Sequence, residues 1–258
     1  MFELPSQPQF QPIIKILDDG IKLFLRCFTK VLPLALADVV LSAWFQVYVM
    51  ANLAPPDSGI LITVTKEFLI YIPLYMVAML VLQTAIFYRI GTILTQSDRG
   101  NFDALLEGVK QLLPIFLATW LYTFLFGVGL IVIIPGVILA VSLRFFTPLI
   151  LFDKATVFES LHRSHRLVWG NWWHTAIVLM IPLLISASVG ILASTVVEQI
   201  LVLSATFAQE QINLYMQITY LTVDKLLTPL FYAIMLVLYY DLKRRSKQPE
   251  RFEKQLIA

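Results

Sequence analysis

Long apolar stretches, separated by short polar ones, organise this chain. Segments free of Asp, Glu, Lys and Arg run from Val39 to Pro56, Phe68 to Tyr88, Gln111 to Leu143 and Leu167 to Val197, with a shorter one from Leu226 to Tyr240. A bilayer core about 30 Å thick is crossed by about 20 helical residues. The pattern therefore predicts spans at residues 31–53, 68–94, 112–133, 136–153, 172–196 and 218–241. The third stretch is too long for one crossing, and Pro135-Gly136 is expected to divide it into a hairpin, proline removing a backbone donor and glycine freeing the chain to reverse. No alternation of period two runs through these segments, and open strand edges would leave backbone groups unpaired in hydrocarbon. The expected fold is all-α, a polytopic membrane protein whose six transmembrane helices form one membrane domain over residues 1–258.

Three further segments are helical but too polar to cross. Over residues 12–29, Ile13, Leu17, Ile21, Phe24 and Phe28 share one face, and Lys15, Asp18, Lys22 and Arg26 another. Residues 101–112 set Phe102, Leu105, Val109 and Leu112 against Asp103, Glu107 and Lys110. Residues 156–169 open on TVFE, in which Thr156 caps the helix and Glu159 reaches back to it. Each of the three is expected to lie in the membrane interface and to lead into a span. An interfacial helix followed by two crossings thus occurs three times, which suggests three pseudo-repeats.

Composition agrees with a lipid-embedded chain. Of 258 residues 59% are hydrophobic and 14% charged, against roughly 25% charged in soluble domains, and the mean hydropathy is +0.79. Such a chain has too little polar surface for a secreted, disordered or nucleic-acid-binding protein. The net charge of +2 is too balanced for a polyanion partner. A single cysteine, Cys27, excludes an intrachain disulfide. The N-terminal MFELPSQPQFQP lacks the basic start and apolar core of a cleaved signal peptide, so insertion is expected to use the spans themselves. With the N-terminus inside, 16 of the 19 basic residues fall on the cytoplasmic side, including Lys243, Arg244 and Arg245 of the tail, and both termini are expected there. Trp169, Trp172, Trp173, Tyr239 and Tyr240 fit as interfacial anchors.

Few residues offer chemistry. Asp38 and Arg144 stand about 10 to 14 Å deep in the first and fourth spans, counted at 1.5 Å per residue. A charge at mid-membrane costs about 2.5 to 3.5 kcal/mol on insertion scales, so the two are expected to pair, locking two helices or lining a polar cavity. Asp224 and Lys225 open the sixth span near its outer end, where Lys225 can extend its amine to the interface. Lys66 and Glu67 admit the same explanation. His162 and His165, three apart, have a spacing that suits one metal. No cysteine or suitably placed carboxylate completes that site, Arg163 and Arg166 would repel a divalent cation, and no metal or cofactor is expected. Arg163 and Arg166 are instead candidates for contact with lipid phosphates. HExxH, GxxxxGK[ST] and GxSxG are all absent from the sequence.

The run IPGVILAVSLRFFTPLILFDKATVFESLHRSHRLVWGNWW, residues 134–173, resembles the central signature of YciC-like bacterial inner-membrane proteins. It is similar, too, to the membrane domain fused to some glycerophosphodiester phosphodiesterases. The likeness rests on Pro135, Gly136, Asp153, Ser164, Arg166, Leu167 and Trp173, and the terminal LYYDLKRR resembles the ending of the broader group. It implies a polytopic bacterial inner-membrane protein and supplies no active site, because the catalytic barrel of the fused relatives is a separate soluble domain. Arg144 departs from the apolar fourth span expected of the group. The expectation is a non-catalytic protein of envelope or lipid organisation or an accessory role, with membrane lipids and a membrane protein as partners and no nucleic acid. The alternative is a transporter or permease subunit, motivated by Asp38, Arg144 and the internal repetition.

Overall fold

A computed structural model describes residues 11–52, 66–97, 99–204 and 206–256, with side chains to 49 in the first stretch, from 70 onward in the second and to 246 in the last. Among the described residues every regular element is helical: α1 (Ile13–Asn52), α2 (Lys66–Leu94), α3 (Asn101–Lys110), α4 (Leu112–Leu130), α5 (Ile134–Ser142), α6 (Phe146–Asp153), α7 (Val157–Val168), α8 (Trp172–Ser204) and α9 (Gln209–Leu256). Five stretches are long and apolar enough to cross a membrane: Ile70–Leu94, Leu112–Leu130, Ile134–Asp153, Trp172–Ser204 and Gln209–Ser246. On α4, Leu113, Leu117, Trp120, Phe124 and Val128 are all exposed at helical spacing. Water would penalise such a stripe, and hydrocarbon is its natural solvent. The chain is an all-helical integral membrane protein.

The expected crossing at 31–53 is not among the five. Its residues as far as Asn52 continue the segment expected to lie in the interface, and the two form one 40-residue helix, α1. No glycine or proline separates Thr29 from Val31, and Pro33 is accommodated inside the helix. The expected single domain also divides into two compact units. One comprises Met1–Leu23, Pro114–Met180 and Ala233–Ala258, the other Phe24–Leu113 and Ile181–Tyr232.

In the second unit, α3 packs on α2. It packs through small residues: Ala104 and Gly108 are buried, while Phe102, Leu106 and Val109 are exposed. A Cβ on Gly108 would stand 2.7 Å from the carbonyl oxygen of Val81, so the absence of a side chain sets this close approach.

In the first unit the hairpin forms, but its turn precedes Pro135-Gly136. The reversal falls at Ile131–Ile133, where Ile133 has φ 60°, and Pro135 sits at the start of α5, where its missing N–H is harmless. Gly136 packs against α4; a Cβ there would meet the Leu130 nitrogen at 2.7 Å.

The expected span 136–153 is broken into α5 and α6 at Leu143–Phe145. Pro148 explains the break, because it offers no N–H to the carbonyl four residues back, that of Arg144, and its ring crowds that carbonyl. A helix break in a lipid-embedded chain must find partners for its freed backbone groups. Here they are all found for the four carbonyls that end α5. Leu139 accepts from the Leu143 N–H (2.9 Å) and Val141 from the Arg144 N–H (3.4 Å). Ala140 accepts from the Tyr122 hydroxyl of α4 at 3.3 Å. Ser142 accepts from the Ser164 hydroxyl of α7 at 2.7 Å. The same Ser164 oxygen accepts the Phe145 N–H at 3.0 Å. One buried hydroxyl therefore joins both sides of the break and seats α7 on α5 and α6.

Replacing Ser164 with Ala is expected to destabilise the protein by about 1–3 kcal/mol, because it strands a buried donor and a buried acceptor together. Thermal unfolding in mild detergent, followed by native tryptophan fluorescence, should show a lowered midpoint; an unchanged one would mean that other groups close the break.

Candidate functional site

Each unit holds a polar centre, among other polar contacts, within its apolar framework. In the second unit it is Asp38, whose side chain is fully buried in α1. Its cation is Lys225 of α9, with Nζ 3.9 Å from Oδ2 and the lysine side chain 12% exposed. The sequence pattern pointed to Arg144 for this role, and to Lys225 as a cation reaching the outer interface. Both expectations are corrected. Arg144 belongs to the first unit, half-buried in the turn between α5 and α6, and Lys225 turns inward. The physical reason is demand: a carboxylate removed from solvent needs a counter-charge more than an ammonium near the interface needs water. Neither Asp38 oxygen closes a hydrogen bond, so the attraction is through space. Asp224, beside Lys225, accepts a hydrogen bond from Ser186 of α8 at 3.2 Å. The side chains of Lys66 and Glu67 lie outside the described residues.

In the first unit the end of α6 and the Tyr239–Ser246 stretch of α9 meet α7. Lys154 takes a left-handed conformation (φ 54°) that stops α6, and the Ala155 N–H returns to the Leu149 carbonyl at 3.1 Å. Thr156 then caps α7, its N–H donating to Glu159 Oε2 at 3.4 Å, the reach-back that TVFE predicted. This tight corner points Asp153 at α7 and α9. Arg163 Nη2 donates to Asp153 Oδ2 at 2.8 Å, Lys243 donates to Oδ1, and Glu159 meets Arg163 from the rim at 3.3 Å. Tyr239 is fully buried, stacked on Phe145 with centroids 6.3 Å apart, and its hydroxyl lies beside Asp153.

These groups border a cavity of about 290 Å³, closed by Leu149, Arg166, Leu167 and Ser246. Three cations face one carboxylate there, and Glu159 at the rim still leaves one positive charge over. That charge is Arg166, which is exposed and has no ion pair or hydrogen bond among the described residues. Of the two arginines singled out for lipid phosphates, Arg163 is thus engaged with carboxylates and Arg166 is open.

One turn along, the end of α7 and the start of α8 form the wall of an apolar groove of about 550 Å³ with the start of α5; Trp169, Trp172 and Trp173 face Ile133, Ile134 and Ile138. Gly170, at φ 93°, allows the turn between α7 and α8. The Trp172 indole N–H donates to the Ile138 carbonyl at 3.3 Å. His165 stacks against Trp169, centroids 4.9 Å apart, and among the described residues no three His, Cys, Asp or Glu side chains assemble as a metal would require.

Sequence reasoning missed Lys243 and Tyr239 as partners of Asp153. Tyr239 and Lys243 are one turn apart at the end of an apolar helix, a signal that reads equally as interfacial anchoring. No family model matches the chain, and no solved structure matches it.

The buried pair can be tested by a double-mutant cycle. Asp38→Leu alone strands the lysine and is expected to cost about 3–5 kcal/mol, whereas Asp38→Leu combined with Lys225→Met is expected to recover most of that loss. Unfolding by denaturant in detergent measures both, and additive losses would show that the two groups do not interact.

Proposed function

We propose that this chain is a non-catalytic protein of the bacterial cytoplasmic membrane that organises envelope lipid or supports a membrane-protein partner. In this reading the second half of α1 is a sixth crossing, both termini lie in the cytoplasm, and the amphipathic segments belong to three pseudo-repeats. The basic tail and the resemblance at residues 134–173 favour that membrane and that orientation. The observation that carries the role is the basic cavity at the end of α6 and the Tyr239–Ser246 stretch of α9. It places an excess of positive charge where the apolar stretches Ile134–Asp153 and Gln209–Ser246 terminate, the level at which lipid headgroups lie.

A transporter is the second reading, favoured by the buried Asp38–Lys225 pair with Asp224 and Ser186 beside it. Against it, Asp38 and Arg89 are the buried charged residues among those described, a sparse set for a solute route.

Reconstitution into liposomes of phosphatidylethanolamine and phosphatidylglycerol separates the two. The protein is expected to raise the order reported by a membrane-embedded dye while leaving proton and solute flux at the level of protein-free vesicles. Flux that Asp38→Asn abolishes would establish the transporter instead.

A further inference from the structure

We infer that the cavity beside Asp153 binds the phosphate group of an anionic phospholipid, whose acyl portion lies along the neighbouring tryptophan groove. This rests on the lipid-organising reading and names its ligand. Asp153 is already neutralised by Arg163 and Lys243, so it does not repel an incoming anion as an isolated carboxylate would. The donor left over is the guanidinium of Arg166. A guanidinium presents a planar fork of N–H groups that matches two phosphate oxygens at once, and such charge-assisted bonds are about twice as strong as neutral ones.

The groove distinguishes a lipid from a free anion. Arg166 and Trp169 are three residues apart at the end of α7, on one face and about one turn of helix from each other. A phosphate held at Arg166 therefore has an apolar wall within the reach of a glycerol backbone, and the cavity and groove offer the polar and apolar halves that one amphiphile needs. An inorganic phosphate would use the first and leave the second idle.

The test is native mass spectrometry of the full chain, exchanged into mild detergent and titrated with dioleoyl phosphatidylglycerol, the matching diacylglycerol, or inorganic phosphate. Phosphatidylglycerol should bind and diacylglycerol should not. Arg166→Gln should weaken phosphatidylglycerol binding about tenfold, the loss of one good charge-assisted contact, and Arg166→Lys should restore part of it. Trp169→Ala should weaken the lipid without changing any competition by phosphate. Both side chains are exposed, so unfolding midpoints should stay at the wild-type value and report that the fold is kept. Diacylglycerol held as tightly as phosphatidylglycerol, or indifference to Arg166→Gln, would overturn the site. Inorganic phosphate bound as tightly as the lipid and unaffected by Trp169→Ala would overturn the lipid and leave a free-anion site. Loss of this site with dye-reported ordering intact would reject the inference alone, whereas Asp38-dependent flux would reject the broader reading.

Discussion

The broken helix at Leu143–Phe145 is the constraint on which the first unit depends. Backbone groups in hydrocarbon have no water to fall back on, so a break survives only where side chains take the place of the lost helical bonds. Tyr122 and Ser164 supply them from α4 and α7. Because those donors come from neighbouring helices, satisfying the break also docks them. The polar helix α7 is thereby held against an apolar one, and Arg163 and Arg166 stand beside Asp153. Pro33, Pro73 and Pro182 lie inside helices that stay continuous. Proline alone is therefore insufficient to break a helix here; the break is found where a hydroxyl serves both of its sides.

Charge is handled in two different ways. Asp38 is enclosed with a single cation at 3.9 Å and no hydrogen bond, an arrangement in which the desolvation of both groups offsets much of their attraction. Such a pair sets registry, since only one juxtaposition of α1 and α9 brings carboxylate and ammonium together. Asp153 instead receives two cations, each by a direct hydrogen bond, and keeps 10% of its side chain exposed. Surplus positive charge at that cavity is compatible with an exchangeable ligand, because solvent or headgroups can stabilise it when the site is empty.

Much of the architecture was legible in the sequence because hydrophobic length is a one-dimensional signal. The apolar runs from Phe68 and from Leu167 need no knowledge of neighbours to be recognised as long helices, and TVFE marks the start of α7 through contacts three residues apart. Pairing is not one-dimensional. Asp38 and Arg144 have matching depth in a linear count, but depth does not say which helices are adjacent, and Lys225 was discounted because an exposed explanation sufficed for it. Residues 101–112 hide their packing face for a related reason. The large apolar side chains mark the face expected to meet the membrane, but the pattern does not show that α3 packs on α2 through Ala104 and Gly108, where two helices gain by approaching closely rather than by burying bulk.

Pro148 carries the same lesson further. A proline four residues after an arginine predicts a weakened helix at that arginine's carbonyl, and the sequence shows both. What it does not show is that Ser164, sixteen residues on, returns to the break, since that depends on the corner at Lys154 and the length of α7. Once the corner is set, twelve residues of α7 carry the chain back from Asp153 to the level of Ile138. Ser164 falls at the break and the tryptophans fall at the start of α5. The span 136–153, which in the linear pattern was one featureless crossing, becomes the wall against which the polar residues of the next forty positions are ordered.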